Sequence, residues 1–127
     1  MPGQGIVCSG CPTCVLCHGI LGSRRNLVSF AHKMADAFPA WQFLLCDLRC
    51  HGETAKVEMQ GENTVEAAAA DVIRVLNTLG VYPIMLMGHS FGGKVVMSMI
   101  QQAGLRLPRP VQVWVSACNR HRYDWNA

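Results

Sequence analysis

The sequence predicts an α/β fold of about four parallel strands, with helices on both faces of the sheet. Three observations carry this reading. Four short apolar runs alternate with three amphipathic stretches, in the order strand, helix, strand, helix, strand, helix, strand. The runs are apolar throughout rather than alternating, as strands covered on both faces are. Three of them end in His18-Gly19, Asp47 and Ser90, at the carboxyl ends where chemistry gathers in such sheets.

Residues 1–11 are rich in Gly and Cys without a period and read as a weakly ordered lead-in. Thr13 to Cys17 is the first strand. A helix is expected over Asn26 to Phe38, with Leu27, Phe30, Ala31, Met34 and Phe38 on its apolar face. Ser23 or Asn26 can cap it, and Pro39 ends it. Trp41 to Leu45 is the second strand, followed by a polar loop from Arg49 to Glu62. Asn63 with Glu66 resembles a capping box that opens an alanine-rich helix. Its buried face would be Val65, Ala68, Ala69, Val72, Val75, Leu76 and Leu79, and Gly80 would stop it. Tyr82 to Met87, Phe91 to Ala103 and Val111 to Val115 follow as strand, helix and strand. Right-handed crossovers are the default. The domain is expected over residues 12–115, with an irregular tail over 116–127 and no internal repeat.

Composition narrows the function. Of the 127 residues, 50% are hydrophobic and only 15% charged, which argues against disorder. The net charge of +3 comes from scattered basic residues. The cluster Arg106, Arg109, Arg120 and Arg122 reads as solvated surface, so no nucleic-acid partner is expected. The uncharged stretch from Met1 to Ser23 is broken by prolines and glycines, so no transmembrane segment is expected. It lacks the basic start of a signal or transit peptide, and a cytoplasmic setting with reduced thiols is the default.

Gly88-His89-Ser90-Phe91-Gly92 matches G-x-S-x-G between an apolar strand and a helix, the context a nucleophile elbow demands. A strained turn that exposes a serine needs neighbours without side chains, which Gly88 and Gly92 supply. The helix after Ser90 would favour developing negative charge. The backbone N–H of Phe91 is one expected oxyanion donor, and Ile20 or Leu21 in the loop after the first strand supplies the second. A Walker loop does not fit, since Gly92-Gly93-Lys94-Val95 lacks the required spacing.

The segments His18 to Ser23, Asp47 to Gly52 and Gly88 to Lys94 resemble three successive motifs of the α/β-hydrolase superfamily. They are most similar to its small single-domain esterases and acyl hydrolases, particularly plant-like members. The resemblance implies Ser90 as nucleophile, an oxyanion loop beginning at His18-Gly19, and a structural turn beside the site at Asp47. It also implies a small ester or acyl substrate and no cofactor.

In that family the acid and then the histidine follow the serine along the chain. Here His121 and Asp124 are the His and Asp that follow Ser90, in the reverse order. His121 is read as a tail histidine. His18, His32 and His51 are read as satisfied structural residues, and the His89 ring is expected to project away from the oxyanion site. The expectation is therefore an incomplete α/β-hydrolase fold, its N-terminal portion, with ester or thioester hydrolysis inherited but weak or lost. A truncated, non-catalytic form that associates through an exposed sheet edge at the last strand is the alternative.

Cys8, Cys11, Cys14 and Cys17 recur every three residues, and Cys14-Val-Leu-Cys17-His18 matches a c-type haem attachment pattern. A metal or haem module is the rival from another class. Side chains three apart on a strand point to opposite faces, so buried or incidental thiols are preferred and no metal site is expected.

Overall fold

In the computed structural model, which describes residues 7–103 and 112–116, four strands form one parallel sheet in the order β2-β1-β3-β4. They are β1 (Thr13–Cys17), β2 (Gln42–Cys46), β3 (Met85–His89) and β4 (Gln112–Ser116). The helices are α1 (Val28–Ala37), α2 (Val65–Leu79) and α3 (Phe91–Ala103). The element order is the one the sequence predicts. Val111, the arginines of the terminal cluster, His121 and Asp124 lie outside the described residues.

Both faces of the sheet are covered, as continuous apolar strands require. Val15 and Cys17 of β1 join Leu86, α2 and α3 in one core layer. Cys14 and Leu16 face the other way, toward Ala31 and Leu27. All five residues of β1 are buried because strands flank it on both sides, whereas β2 is half-buried throughout.

Several boundaries move for identifiable reasons. The strand expected at Trp41 to Leu45 runs one residue later, because Gln42 pairs with Thr13 and its N–H donates to the Pro12 carbonyl at 2.9 Å. The strand expected at Tyr82 to Met87 begins at Met85 and extends through His89. Pro83 has no N–H to offer the ladder, and the Ile84 N–H bonding Thr13 O at 3.0 Å leads into it.

The helix expected from Asn26 begins instead as a 3-10 turn, Arg24–Leu27. Both suggested caps act together: Ser23 accepts from the Arg25 N–H and donates its own N–H to the Asn26 side chain at 2.7 Å. Of the apolar face assigned to α1 only Ala31 is buried; Phe30 and Phe38 are 38% and 50% exposed. Among the described residues α1 and the 3-10 turn before it cover that face, and the flanks of the stripe overhang the sheet.

For α2 the cap is Thr64, not Asn63; its hydroxyl accepts from the Ala67 N–H at 3.1 Å. Ala68, Ala69, Val72 and Leu76 are buried as expected, and Gly80 ends the helix in the left-handed conformation. Val75 and Leu79 are exposed instead, because the contact with the sheet and α3 is narrower than the apolar stripe. Arg49, nearly buried, ties the preceding loop to this helix. Its guanidinium makes a two-point bond with Asp71 at 2.6 and 2.9 Å and reaches the carbonyls of Gln60 and Glu62.

Candidate functional site

The chain steps outward from β1 to β2 and then returns to the other side of β1 to lay down β3. The chain therefore leaves β1 and β3 in opposite directions, which makes their carboxyl ends the point where the strand order reverses. Ser90 stands at that point, between the last residue of β3 and the first of α3.

Its backbone is left-handed, with φ 52°. Among the described residues the other non-glycine positions of this kind are Leu21 (φ 61°) and Cys50 (φ 66°). Each of the three follows the carboxyl end of a different strand. Such conformations cost on the order of 1–3 kcal/mol each and persist only where the surroundings impose them.

At Ser90 the surroundings can be named. A Cβ on Gly88 would collide with the backbone of Gly92 and Gly93, so the strand and the helix that follows meet almost without a gap. A Cβ on Gly92 would collide with the carbonyls of Cys17 and His18, so α3 also sits directly on the end of β1. The Gly93 N–H closes the turn onto the Ser90 carbonyl at 2.9 Å. Phe91 opens α3, where backbone N–H groups lack intrahelical partners.

Gly19 brings the first loop to the serine: a methyl there would lie 3.6 Å from Ser90 Cβ and 3.3 Å from the His89 ring. The His89 ring thus lies beside Gly19, where the β1 loop and the end of β3 touch. Ile20 and Leu21 form an exposed turn closed by the Gly22 N–H on the Gly19 carbonyl at 3.1 Å.

His18 is buried and fully engaged. One ring nitrogen is 2.8 Å from the Gly19 carbonyl, and Nε2 accepts the Leu48 N–H at 3.0 Å. That pattern fixes a neutral ring with its proton on Nδ1. Burial and the neighbouring His51 push its pKa below the ordinary value, outweighing the Gly19 carbonyl and Asp47. The unfolded chain therefore takes up a proton that the native state resists. Stability from His18 is complete above about pH 6.5 and falls as pH drops through the window below it. The slope there is at most about 1.4 kcal/mol per pH unit. Denaturant titrations between pH 7.5 and 5 are expected to show this decline and to show a flatter one for His18→Asn. Equal slopes would refute it.

Asp47 anchors the second loop. Its nearly buried carboxylate accepts from the Arg24 N–H at 2.8 Å, the Arg24 guanidinium at 2.6 Å and the Glu53 N–H at 3.0 Å. Burial alone would raise its pKa, but these donors and His18 outweigh it and hold the carboxyl below its usual range. Gly52, with φ 51°, lies so close that a Cβ would overlap the carboxylate. His51 stacks at 6.1 Å on Phe91, which links this loop to the start of α3. Sequence reasoning missed Arg24 as the partner of Asp47 and Arg49 as the partner of Asp71. Neither pair carries a local signal, since 23 and 22 residues separate the partners.

The cysteine run resolves differently from the expectation of reduced thiols. Cys8 and Cys11 are joined in a disulfide, which their position in one tight turn permits. Cys14 and Cys17 lie in opposite core layers, so the four sulfurs do not converge on a metal or haem. Burial pushes the Cys14 thiol up to about 12. Among the described residues no helix is long and apolar enough to cross a membrane.

A family model described as the alpha/beta hydrolase fold matches residues 12–126. A 2-succinyl-6-hydroxy-2,4-cyclohexadiene-1-carboxylate synthase of Klebsiella pneumoniae is 36% identical over 102 residues, 76% of this chain and 36% of the relative. An sn-1-specific diacylglycerol lipase ABHD11 of Xenopus tropicalis is 33% identical over 105 residues, 83% of this chain and 32% of the relative. Among solved structures, a marine microorganism esterase superposes with a TM-score of 0.70 at 24% identity, covering 94% of this chain and 42% of its own. The chain spans about a third of the length of the curated relatives it matches.

Proposed function

The chain belongs to the α/β-hydrolase fold family, and from that premise we propose that Ser90 is the nucleophile of an acyl-transfer site for a small ester or thioester. The observation that carries this reading is the left-handed backbone of Ser90 between β3 and α3. Paying that conformational cost has a use if it lifts the hydroxyl above the rim of the sheet, as a nucleophile elbow does. Gly88 and Gly92 leave room for the turn, and the start of α3 favours an anion there. The N–H of Phe91 and that of Ile20 or Leu21 would hold the oxyanion, the latter pair brought near through Gly19. Relatives named as lipases and esterases favour ester chemistry.

His18 is not the proton acceptor of this site. His18 has both ring nitrogens engaged, and His121 precedes Asp124, the reverse of the family order.

A fluorophosphonate probe tests the nucleophile apart from turnover. The wild-type chain is expected to acquire one label on Ser90, and Ser90→Ala, folded by circular dichroism, is expected to acquire none. Equal labelling of the two, or none of the wild type, would sink the assignment. A second reading, association through the sheet, is favoured by β4 having only β3 as a neighbour among the described residues. Light scattering would then find a dimer or larger species, and a monomer at all concentrations would exclude it.

A further inference from the structure

We propose that Cys8 and Cys11 form a reversible thiol–disulfide exchange site for low-molecular-weight thiols, at the end of the sheet opposite Ser90. The pair closes a turn at Gly10, whose φ is 86° and around which nothing approaches within 4 Å of an added Cβ. Both cysteines line a cavity of about 430 Å³, walled also by Gln42, Tyr82 and Pro83. A small thiol can therefore reach the sulfurs. The neighbouring Cys14 and Cys17, at 0% and 1% exposure, offer no such approach.

Reversibility follows from what holds the turn apart from the bond itself. The Gln42 side chain clamps Cys8 by its backbone, accepting from its N–H and donating to its carbonyl, both at 3.0 Å. The same amide group donates to the Thr13 hydroxyl at 2.6 Å, and that hydroxyl donates to the Cys11 carbonyl at 3.0 Å. Gln42 thus holds Cys8 directly and Cys11 through Thr13, by bonds to backbone rather than to sulfur. Opening the bond leaves the two thiols side by side and ready to close again. The bridged loop is also short, so the sheet does not depend on it.

In the exchange, one thiolate RS⁻ attacks the more exposed Cys8 sulfur. An RS–S bond forms, the Cys8–Cys11 bond breaks, and Cys11 leaves as a thiolate. A second RS⁻ attacks the mixed disulfide, releasing RSSR and the Cys8 thiolate. Two thiols are oxidised to RSSR, the protein disulfide is reduced, and the protons the two RSH lost end on Cys8 and Cys11.

The full chain is incubated in glutathione buffers from oxidising to strongly reducing, quenched with acid, alkylated and mapped by peptide mass. Cys8 and Cys11 are expected to pass together from disulfide to dithiol and back, while Cys14 and Cys17 stay unmodified until the chain is unfolded. Cys11→Ser in oxidised glutathione is expected to carry a glutathione on Cys8, mapped apart from any on the exposed Cys50. The proposal fails if the pair stays reduced in the most oxidising buffer or bonded in the most reducing one. It fails equally if either cysteine bonds another in place of its partner, if Cys14 and Cys17 exchange alongside them, or if Cys11→Ser carries no glutathione on Cys8.

Discussion

Gly92→Ala is expected to remove about 4 kcal/mol or more of stability, enough to leave little folded protein. The φ of Gly92 is not left-handed, so the cost is not one of backbone conformation. It comes from contact: an alanine Cβ would penetrate the carbonyl groups of Cys17 and His18, and these are backbone atoms. Cys17 ends β1 and is paired on both sides, so its carbonyl cannot yield without disturbing the ladder. Relief would require lifting the start of α3 from the sheet, which also moves Ser90. Gly61→Ala provides the contrast. Gly61 has φ 79° but nothing within 4 Å, so only the conformational penalty applies, about 1 kcal/mol. Urea titration of the two variants checks the ordering, and a Gly92→Ala protein as stable as Gly61→Ala would refute the contact argument.

The same comparison shows what the sequence makes legible. Gly88 and Gly92 could be singled out from the motif, and α3 was bounded correctly at Phe91 and Ala103, because a glycine-flanked turn marks its own ends. Element order followed from apolar runs alone. Register did not. Nothing local in Trp41 to Cys46 says which residue pairs with Thr13; the neighbouring strand decides it. Strand order was equally hidden, and with it the difference between the buried β1 and the half-buried β2, whose sequences read alike. The disulfide was invisible for a related reason: spacing of three repeats along the whole run, and only the fold separates the turn at Gly10 from the strand at Cys14. The glycine-flanked turn around Ser90 could be read from the chain, while the ion pairs that hold the loops came from distant parts of it.

Those ion pairs carry the other large effect. Asp47→Asn is expected to cost about 2–4 kcal/mol. The amide keeps the shape but loses the charge, and its NH₂ group faces donors instead of bonding them. The N–H groups of Arg24 and Glu53 compete for what acceptor remains, whereas the half-exposed Arg24 guanidinium can return to water. The loss should depend on pH in a defined direction. Because the folded pKa of Asp47 is depressed, its contribution is complete above the unfolded value, about 3.9, and fades as pH falls through the folded one. The gap between wild type and Asp47→Asn is therefore expected to be open at pH 7 and to narrow below pH 4. A Gly52→Ala variant should mimic the damage without removing the charge, since its Cβ would overlap the carboxylate. If Asp47→Asn were as stable as wild type at pH 7, the second loop would be held by Thr54 and Arg49, and Asp47 would lose its place as anchor.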